Sequence, residues 1–427
     1  MNMNINFTRL KNRLFIKVEN TFCTITKPQQ KFLQKITFGV LKSNTLMLTD
    51  IARTLKSKTM LKQTVKSVDK MLNSANWQEI VLENHLQHSS PFQENEIIAI
   101  DHTDICKPYA KNIENMRKVR DGSSQDGKSV NGFKLVAVTR NCMETRTPEL
   151  VNMQVLDVDE EAEINETKAT IDILKQIEEK LGTGGVRVLD RGFDAESYYE
   201  YFLNTETMFV IRGKVNRSAE VIKGGVISKP SKKVITIARN TTCKTTIERW
   251  VKSTSTPGGK RLAELHIGAR ELFVSGSMTL NMIVIKDSHK NKPMILYTNQ
   301  NIDITDANEL IKIYDQYLKR WECEEVIRYI KQEYSLEDIR YRKAQNFNSI
   351  IAIMVFADSF LSRDIGCLPK LAIMKQKLLS AAQALNDDVV FCLYRLKHGF
   401  QRALEGITFD IRQQIQENLF VHPSFDF

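Results

Sequence analysis

The sequence predicts an α/β protein: a mixed sheet flanked by helices, interrupted by a β-rich insertion, with helical regions at both ends. Three observations predict it. Short apolar runs of strand length end in acids at 95–104 and 185–194. An amphipathic helical stretch, 166–182, lies between them and stops at Gly182. Over 215–292 the texture shifts to Thr, Val, Ile, Lys and Gly, with the turn signals GG, KP and TPGG, a run of β-hairpins. The chain of 427 residues divides accordingly into 1–90, helical and basic; 91–214, the first part of the α/β core; 215–292, the insertion; 293–345, the second part of the core; and 346–427, a helical C-terminal region.

The first segment carries 14 Lys and Arg against five acids, nearly the whole formal excess of +10. A basic block on a near-neutral body suits a polyanion such as nucleic acid. Lys58, Lys62, Lys66 and Lys70 recur every fourth residue and form one stripe on a helix. "LTDIARTLK" precedes them, with Thr49 or Asp50 as a possible N-cap, so two short helices in succession fit a helix-turn-helix-like DNA-binding unit.

The core begins with "NEIIAIDHTD", a buried strand that places Asp101 at its C-terminal edge. "NGFKLVAVTRN" (131–141) and "LVNMQVLDV" (150–158) can complete an antiparallel meander with it. After the helix, "GVRVLDRGFD" (185–194) is a second buried strand ending at Asp190. A short helix near 194–204 and the strand "TMFVIRGK" (207–214) follow. Asp104 and Asp194 are rival acids. Asp101 and Asp190 are preferred because each directly follows its apolar run, and Asp194 is expected to cap the next helix. "PMILYTNQ" (293–300) returns to the core.

"YDQYLKRWECEEVIRYIKQEY" (314–334) has no Gly or Pro and reads as one helix. At 100° per residue, Tyr317, Arg320, Glu324 and Lys331 share an arc of roughly 60°, while Glu322 and Glu325 fall outside it. Arg320 can hold a phosphate as a fork and Lys331 as a point charge. Tyr317 can hydrogen-bond a phosphate or stack on a base.

Other classes are excluded on composition. The seven cysteines are scattered, odd in number and never spaced CxxC, which argues against a disulfide framework or a zinc site. Cys323 is expected to pack. His85 and His88 lack a third ligand. The apolar stretch near 349–361 is short for a bilayer and contains Asp358, and the N-terminus lacks a signal-peptide pattern, so a cytoplasmic protein without a membrane partner is expected.

Three carboxylates, Asp101, Asp190 and Glu324, brought together from two strands and a helix would repel one another unless cations compensate them. All-oxygen ligands favour Mg²⁺, or Mn²⁺, over Zn²⁺, and such a set suits two-ion phosphoryl transfer.

On these residues the chain resembles the DDE transposases of bacterial insertion sequences, within the cut-and-paste group marked by Y-x2-R-x3-E-x6-K. Tyr317, Arg320, Glu324 and Lys331 match every spacing of that signature. "AIDHTD" and "VLDRGFD" resemble the two aspartate strands, and "FVIRGKVNR" the basic strand that follows. The resemblance implies an RNase H-like catalytic core, with Asp101, Asp190 and Glu324 as catalytic metal ligands for two Mg²⁺ ions. It implies binding of double-stranded DNA, both transposon ends and target, by a homodimer on paired ends. Cleavage at each end, strand transfer and a hairpin on the transposon end are implied as well. Arg191 and Arg212 become DNA-backbone ligands beside the site. In this group a Trp of the insertion helps hold a flipped base. Trp250 is the only Trp there, sits in no motif that aligns, and is expected to be buried in the insertion core. The competing class is a catalytically silent, transposase-derived DNA-binding protein or repressor.

Overall fold

The computed structural model describes residues 7–55, 57, 59–120, 128–142, 148–158, 165–252, 259–274, 278–367, 371–382, 392–405 and 407. Lys58 and residues 408–427 of the C-terminal region lie outside the described residues. The chain opens with helices α1 (Phe7–Thr21), α2 (Lys27–Lys42), α3 (Leu48–Thr54), α4 (Leu61–Leu72) and α5 (Trp77–Gln87). The core then runs β1 (Glu96–Cys106), β2 (Arg117–Arg120), β3 (Ser129–Cys142), β4 (Glu149–Val155), α6 (Glu166–Leu181), β5 (Val186–Leu189), α7 (Glu196–Asn204) and β6 (Met208–Arg212). The insertion holds β7 (Ser218–Lys223), β8 (Val226–Lys233), α8 (Val234–Arg239), β9 (Thr245–Lys252), β10 (Lys260–Val274) and β11 (Met278–Asp287). The chain returns through β12 (Met294–Thr298), α9 (Ala307–Leu318), α10 (Arg320–Glu333), α11 (Ala344–Ser359), α12 (Ala372–Ala381) and α13 (Leu393–Ala403).

The described strands form one twelve-stranded mixed sheet, ordered β2-β3-β1-β5-β6-β12-β11-β10-β7-β8, with β4 also on β3 and β9 on β10. β1, β3 and β4 make the antiparallel meander, and β1, β5 and β6 run parallel, an RNase H-like arrangement with helices on both faces. The four residues of β5, VRVL, are all buried, as a parallel strand covered on both faces requires. β1 obeys period two: Ala99 and Ile105 turn toward α10 and α11, Ile98 and Ile100 toward α6 and α7. Asn165 caps α6 by accepting the Lys168 N–H at 2.9 Å, and Gly182, at φ 78°, ends it.

Away from the α9–α10 region and the aspartate strands, the structure adds to or departs from the sequence reading in four places. The insertion is continuous with the core sheet, because β11 pairs with β12 along Asn281–Ile285, and it includes a short helix, α8. Neither Thr49 nor Asp50 caps α3. Met47 occupies the N-cap, and Asp50, inside the first turn, binds Arg53 at 2.5 Å. Asp194 does not cap the helix that follows it either. Ala195 is the N-cap of α7, while the Asp194 carboxylate accepts from Tyr199 Oη (2.6 Å), Arg217 and the Lys214 N–H. Trp250 is not buried but 69% exposed, since it lies on the β9 face away from α9.

The N- and C-terminal helices share one core. Leu14, Phe22, Phe38 and Trp77 join α11, α13 and the back of α10 in a single apolar cluster. Thirteen of the sixteen residues of α11 are buried. With the π turn after it, α11 forms a 22-residue helix long and apolar enough to cross a membrane, yet 83% of its apolar window lies inside the protein.

Candidate active site

The helix expected over 314–334 is broken. Lys319 ends α9 and precedes α10, and the ladder tightens there: Lys319 N–H donates to Gln316 and Glu322 N–H to Lys319. Tyr317 therefore belongs to α9, and Arg320, Glu324 and Lys331 to α10. Tyr317 is 2% exposed, packed in the α9 core, and the Arg320 guanidinium lies 5.7 Å from its ring centre. Its ring carries Arg320 rather than facing solvent.

Asp101 sits within β1, not at its end. β1 continues to Cys106 on the β3 side, but its pairing with β5 stops at Ile100–Leu189. Asp101 and Asp190 are each the next residue on adjacent parallel strands, so they share a register and a face roughly 5 Å apart in strand spacing. β5 and β6 end alike at Leu189–Ile211, which puts Arg212 next along the same row. The site thus lies where α/β sheets place ligands, past the carboxyl ends of parallel strands. Asp190 turns its Oδ1 back to the Gly192 N–H at 2.6 Å, opening the tight turn Arg191–Phe193. A Cβ at residue 192 would stand 2.9 Å from that oxygen, so glycine keeps the carboxylate where it is. Arg191, the next residue, is exposed.

Glu324 reaches the strands through Arg320. Arg320 Nη1 lies 2.7 Å from Glu324 Oε1 and 3.2 Å from Asp101 Oδ2. Its side chain is 8% exposed, and its Nε is buried without a hydrogen-bond partner. Burial works against the guanidinium charge, but Tyr317, Glu324 and Asp101 outweigh it and raise the pKa. Burial pushes the Asp101 carboxyl up to about 7; Arg320 opposes this, while Asp190 and Glu324 add to it. Asp190 and Glu324 are thus each within electrostatic reach of Asp101.

Lys331 Nζ donates to the backbone carbonyl of Asp104, and lies 3.7 Å from Glu337 Oε1. It ties α10 to β1 two turns below Glu324. Glu325, outside the arc, pairs with Arg328. Cys323 is fully buried. On α4, Lys62, Lys66 and Lys70 are exposed, opposite the buried Thr64, Val68 and Leu72.

The sequence reading did not single out two residues. Trp321, 38% exposed, has its ring 5.7 Å from Arg320; only its adjacency to Arg320 signalled it. His102 faces away from Asp101, 3.0 Å from Thr170 Oγ1 on α6, with its ring tilted against Phe193 at 4.5 Å between centroids. Burial lowers its pKa to about 4, so it is neutral packing behind the site. The alternation of β1 was its signal.

Among the described residues, no three His, Cys, Asp or Glu side chains converge tightly enough to hold an ion as they stand. The donor set nonetheless fits a hard divalent cation. It is all oxygen, and Asp101 Oδ2 and Glu324 Oε1 already share one positive group, the Arg320 guanidinium.

A family model described as a transposase DDE domain matches residues 92–357, from just before β1 through most of α11 and more than half of the chain. No curated protein matches the chain.

Proposed function

The chain belongs to the DDE transposase family, and from that premise we propose that it is the transposase of a bacterial insertion sequence, binding terminal inverted repeats, cutting them and joining the freed ends to target DNA. The observation that carries the chemistry is the row Asp101–Asp190 where the parallel pairing of β1 and β5 stops, with Glu324 tied to it through Arg320. Asp101, Asp190 and Glu324 would hold Mg²⁺ or Mn²⁺. Bound there, the ions supply Lewis-acid stabilisation of the charge that develops during phosphoryl transfer.

The remaining residues have roles of their own. Arg212, beside Asp190, and the exposed Arg191 neutralise the phosphates next to the one being cut. Arg320, seated on Tyr317, holds Asp101 and Glu324 at a fixed spacing. Lys331 fixes the angle between α10 and β1 through Asp104 and places a positive charge beside the path a strand would follow. Lys62, Lys66 and Lys70 of α4 grip the DNA backbone away from the site, a division of labour between the 1–90 region and the core. Pairing of two ends by a homodimer and a cytoplasmic location complete the proposal.

The test is an end-cleavage assay. Full-length protein, Mg²⁺ and labelled DNA spanning the junction of the element and its flank should give nicks that leave 3′-hydroxyls, followed by joined products. Tight end binding with no cleavage in Mg²⁺ or Mn²⁺ would instead establish a silent DNA-binding protein.

A further inference from the structure

We propose that the groove between the β1–β2 loop and the connection from α10 to α11 binds an unpaired strand of DNA, with Tyr109 stacked on one of its bases. The proposal rests on the reading of the chain as a DNA-processing enzyme, but it concerns a surface outside the carboxylate site.

Tyr109 is 95% exposed, the most exposed of the large apolar residues described. Its loop is not loose. Lys107 N–H donates to Asn131 O at 2.6 Å, Asn131 Nδ2 to Ala110 O at 3.1 Å, and Lys107 Nζ to the Leu336 carbonyl at 3.1 Å. Glu114 then clasps the opposite wall: its N–H donates to Arg342 O at 3.0 Å, and its carboxylate accepts from Ala344 N–H at 3.1 Å. The fold therefore holds an aromatic ring out into solvent on a loop fixed along its length. No packing within the described residues uses that ring, which is the arrangement expected of a stacking platform.

The walls suit a phosphate backbone. The cavity measures about 770 Å³, and Lys111, Arg340 and Arg342 line it with exposed side chains. Its acids are partly engaged, since Glu337 accepts the Cys106 N–H at 2.9 Å and its other oxygen faces Lys331. β2 leaves the same loop with three cations in four residues, two of them, Lys118 and Arg120, exposed. Cations interleaved with an exposed aromatic are the signature of single-strand binding; every base has a face to stack, whatever its sequence.

The groove also lies on the path of a strand. It opens at Cys106, five residues along β1 from Asp101, or roughly 17 Å at strand rise. Lys331, bonded to Asp104, stands between. A strand lying on the carboxylates and running along β1 past Lys331 arrives at Tyr109. The reaction itself generates such strands, because a cut end frays more easily than intact duplex.

The experiment measures binding of the full-length protein to short oligothymidylate and to blunt duplex by fluorescence anisotropy. Tyr109→Ala should weaken oligothymidylate binding about tenfold, leave duplex binding within about twofold, and be rescued by Tyr109→Phe. Lys111→Gln and Arg342→Gln should each lower the slope of log K against log salt on oligothymidylate by up to about 0.7. Unchanged affinity in Tyr109→Ala, equal losses on both DNAs, or wild-type protein that does not bind oligothymidylate would each overturn the proposal. End cleavage on the same preparation separates the two readings. Cleavage without oligothymidylate binding sinks the groove alone, and oligothymidylate binding without cleavage sinks the enzymatic reading alone.

Discussion

Arg320 meets Asp101 at 3.2 Å and Glu324 at 2.7 Å with the same nitrogen, and it is nearly buried on the Tyr317 ring. A guanidinium so placed neutralises the carboxylates that a divalent ion would neutralise instead. Removing it leaves three acids with less compensation, so Arg320→Met should tighten Mn²⁺ binding, by about tenfold or roughly 1.4 kcal/mol, while slowing cleavage. Arg320→Lys should fall between, since it keeps charge but not the planar fork. Calorimetric Mn²⁺ titration checks this; weaker binding in Arg320→Met would mean that the guanidinium organises the ligands more than it competes for them. A second residue is expected to contribute to the response to acid. His85 is 3% exposed, edge-on to Phe356, and its pKa is lowered to about 3, first by burial and then by Lys17, Arg363 and Arg140. Its folded value lies below its unfolded value near 6.5, so its contribution is fully present above pH 6.5 and is lost as pH falls toward 3. At about 1.36 kcal/mol per pH unit that loss approaches roughly 4–5 kcal/mol. Urea unfolding at pH 7, 5 and 4 should show a steeper fall for wild type than for His85→Gln; parallel curves would remove His85 from the acid response.

At the scale of elements, strands are more legible in the sequence than the relationships between helices. β1 and β5 are readable because an apolar run must be buried on both faces, and the residue that ends it stands at the mouth of the sheet. What the run does not reveal is that β1 continues to Cys106 against β3, so Asp101 ends a pairing rather than a strand. The break at Lys319 is also hidden: no Gly or Pro marks it, and it arises because α9 packs on β5, β6, β10 and β11 while α10 packs on β1 and β3. That tertiary demand moves Tyr317 from the expected open face into the core. Asp194 reads as a cap because the local pattern gives no sign of Arg217, 23 residues away. Trp250 reads as buried because hydrophobicity alone does not tell which face of an edge strand is covered. The α4 stripe is legible, since helical period is a local property. Replacing Lys62, Lys66 and Lys70 with Gln should flatten the salt dependence of duplex binding by up to about 0.9 for each phosphate no longer neutralised, with little change in melting temperature. An unchanged slope would make the stripe an ordinary solvated face.

The whole molecule behaves as one sheet wrapped by one helical assembly. The shared cluster of Phe22, Phe38, Trp77 and Phe356 binds the basic N-terminal region to the rest of the protein, because α11 is buried by α2 and α5. Deleting residues 1–90 should therefore give aggregated or unfolded protein, and single changes such as Trp77→Ala or Phe356→Ala should cost about 3–5 kcal/mol. A soluble, cooperatively melting fragment 91–427 would show that the helices are separable after all. The catalytic reading is likewise a property of the whole, since β1, β5 and α10 must converge for three carboxylates to act as a unit. The measurement that tests this most directly is a cleavage time course in Mg²⁺ on labelled element ends, using Asp101→Asn, Asp190→Asn and Glu324→Gln singly and together, with melting curves and end binding as controls. Each single variant should stay folded, bind ends and cleave no faster than the triple variant, because groups acting as a unit are lost together. Wild-type cleavage by any one of the three would contradict the assignment of that carboxylate, and with it the proposed site.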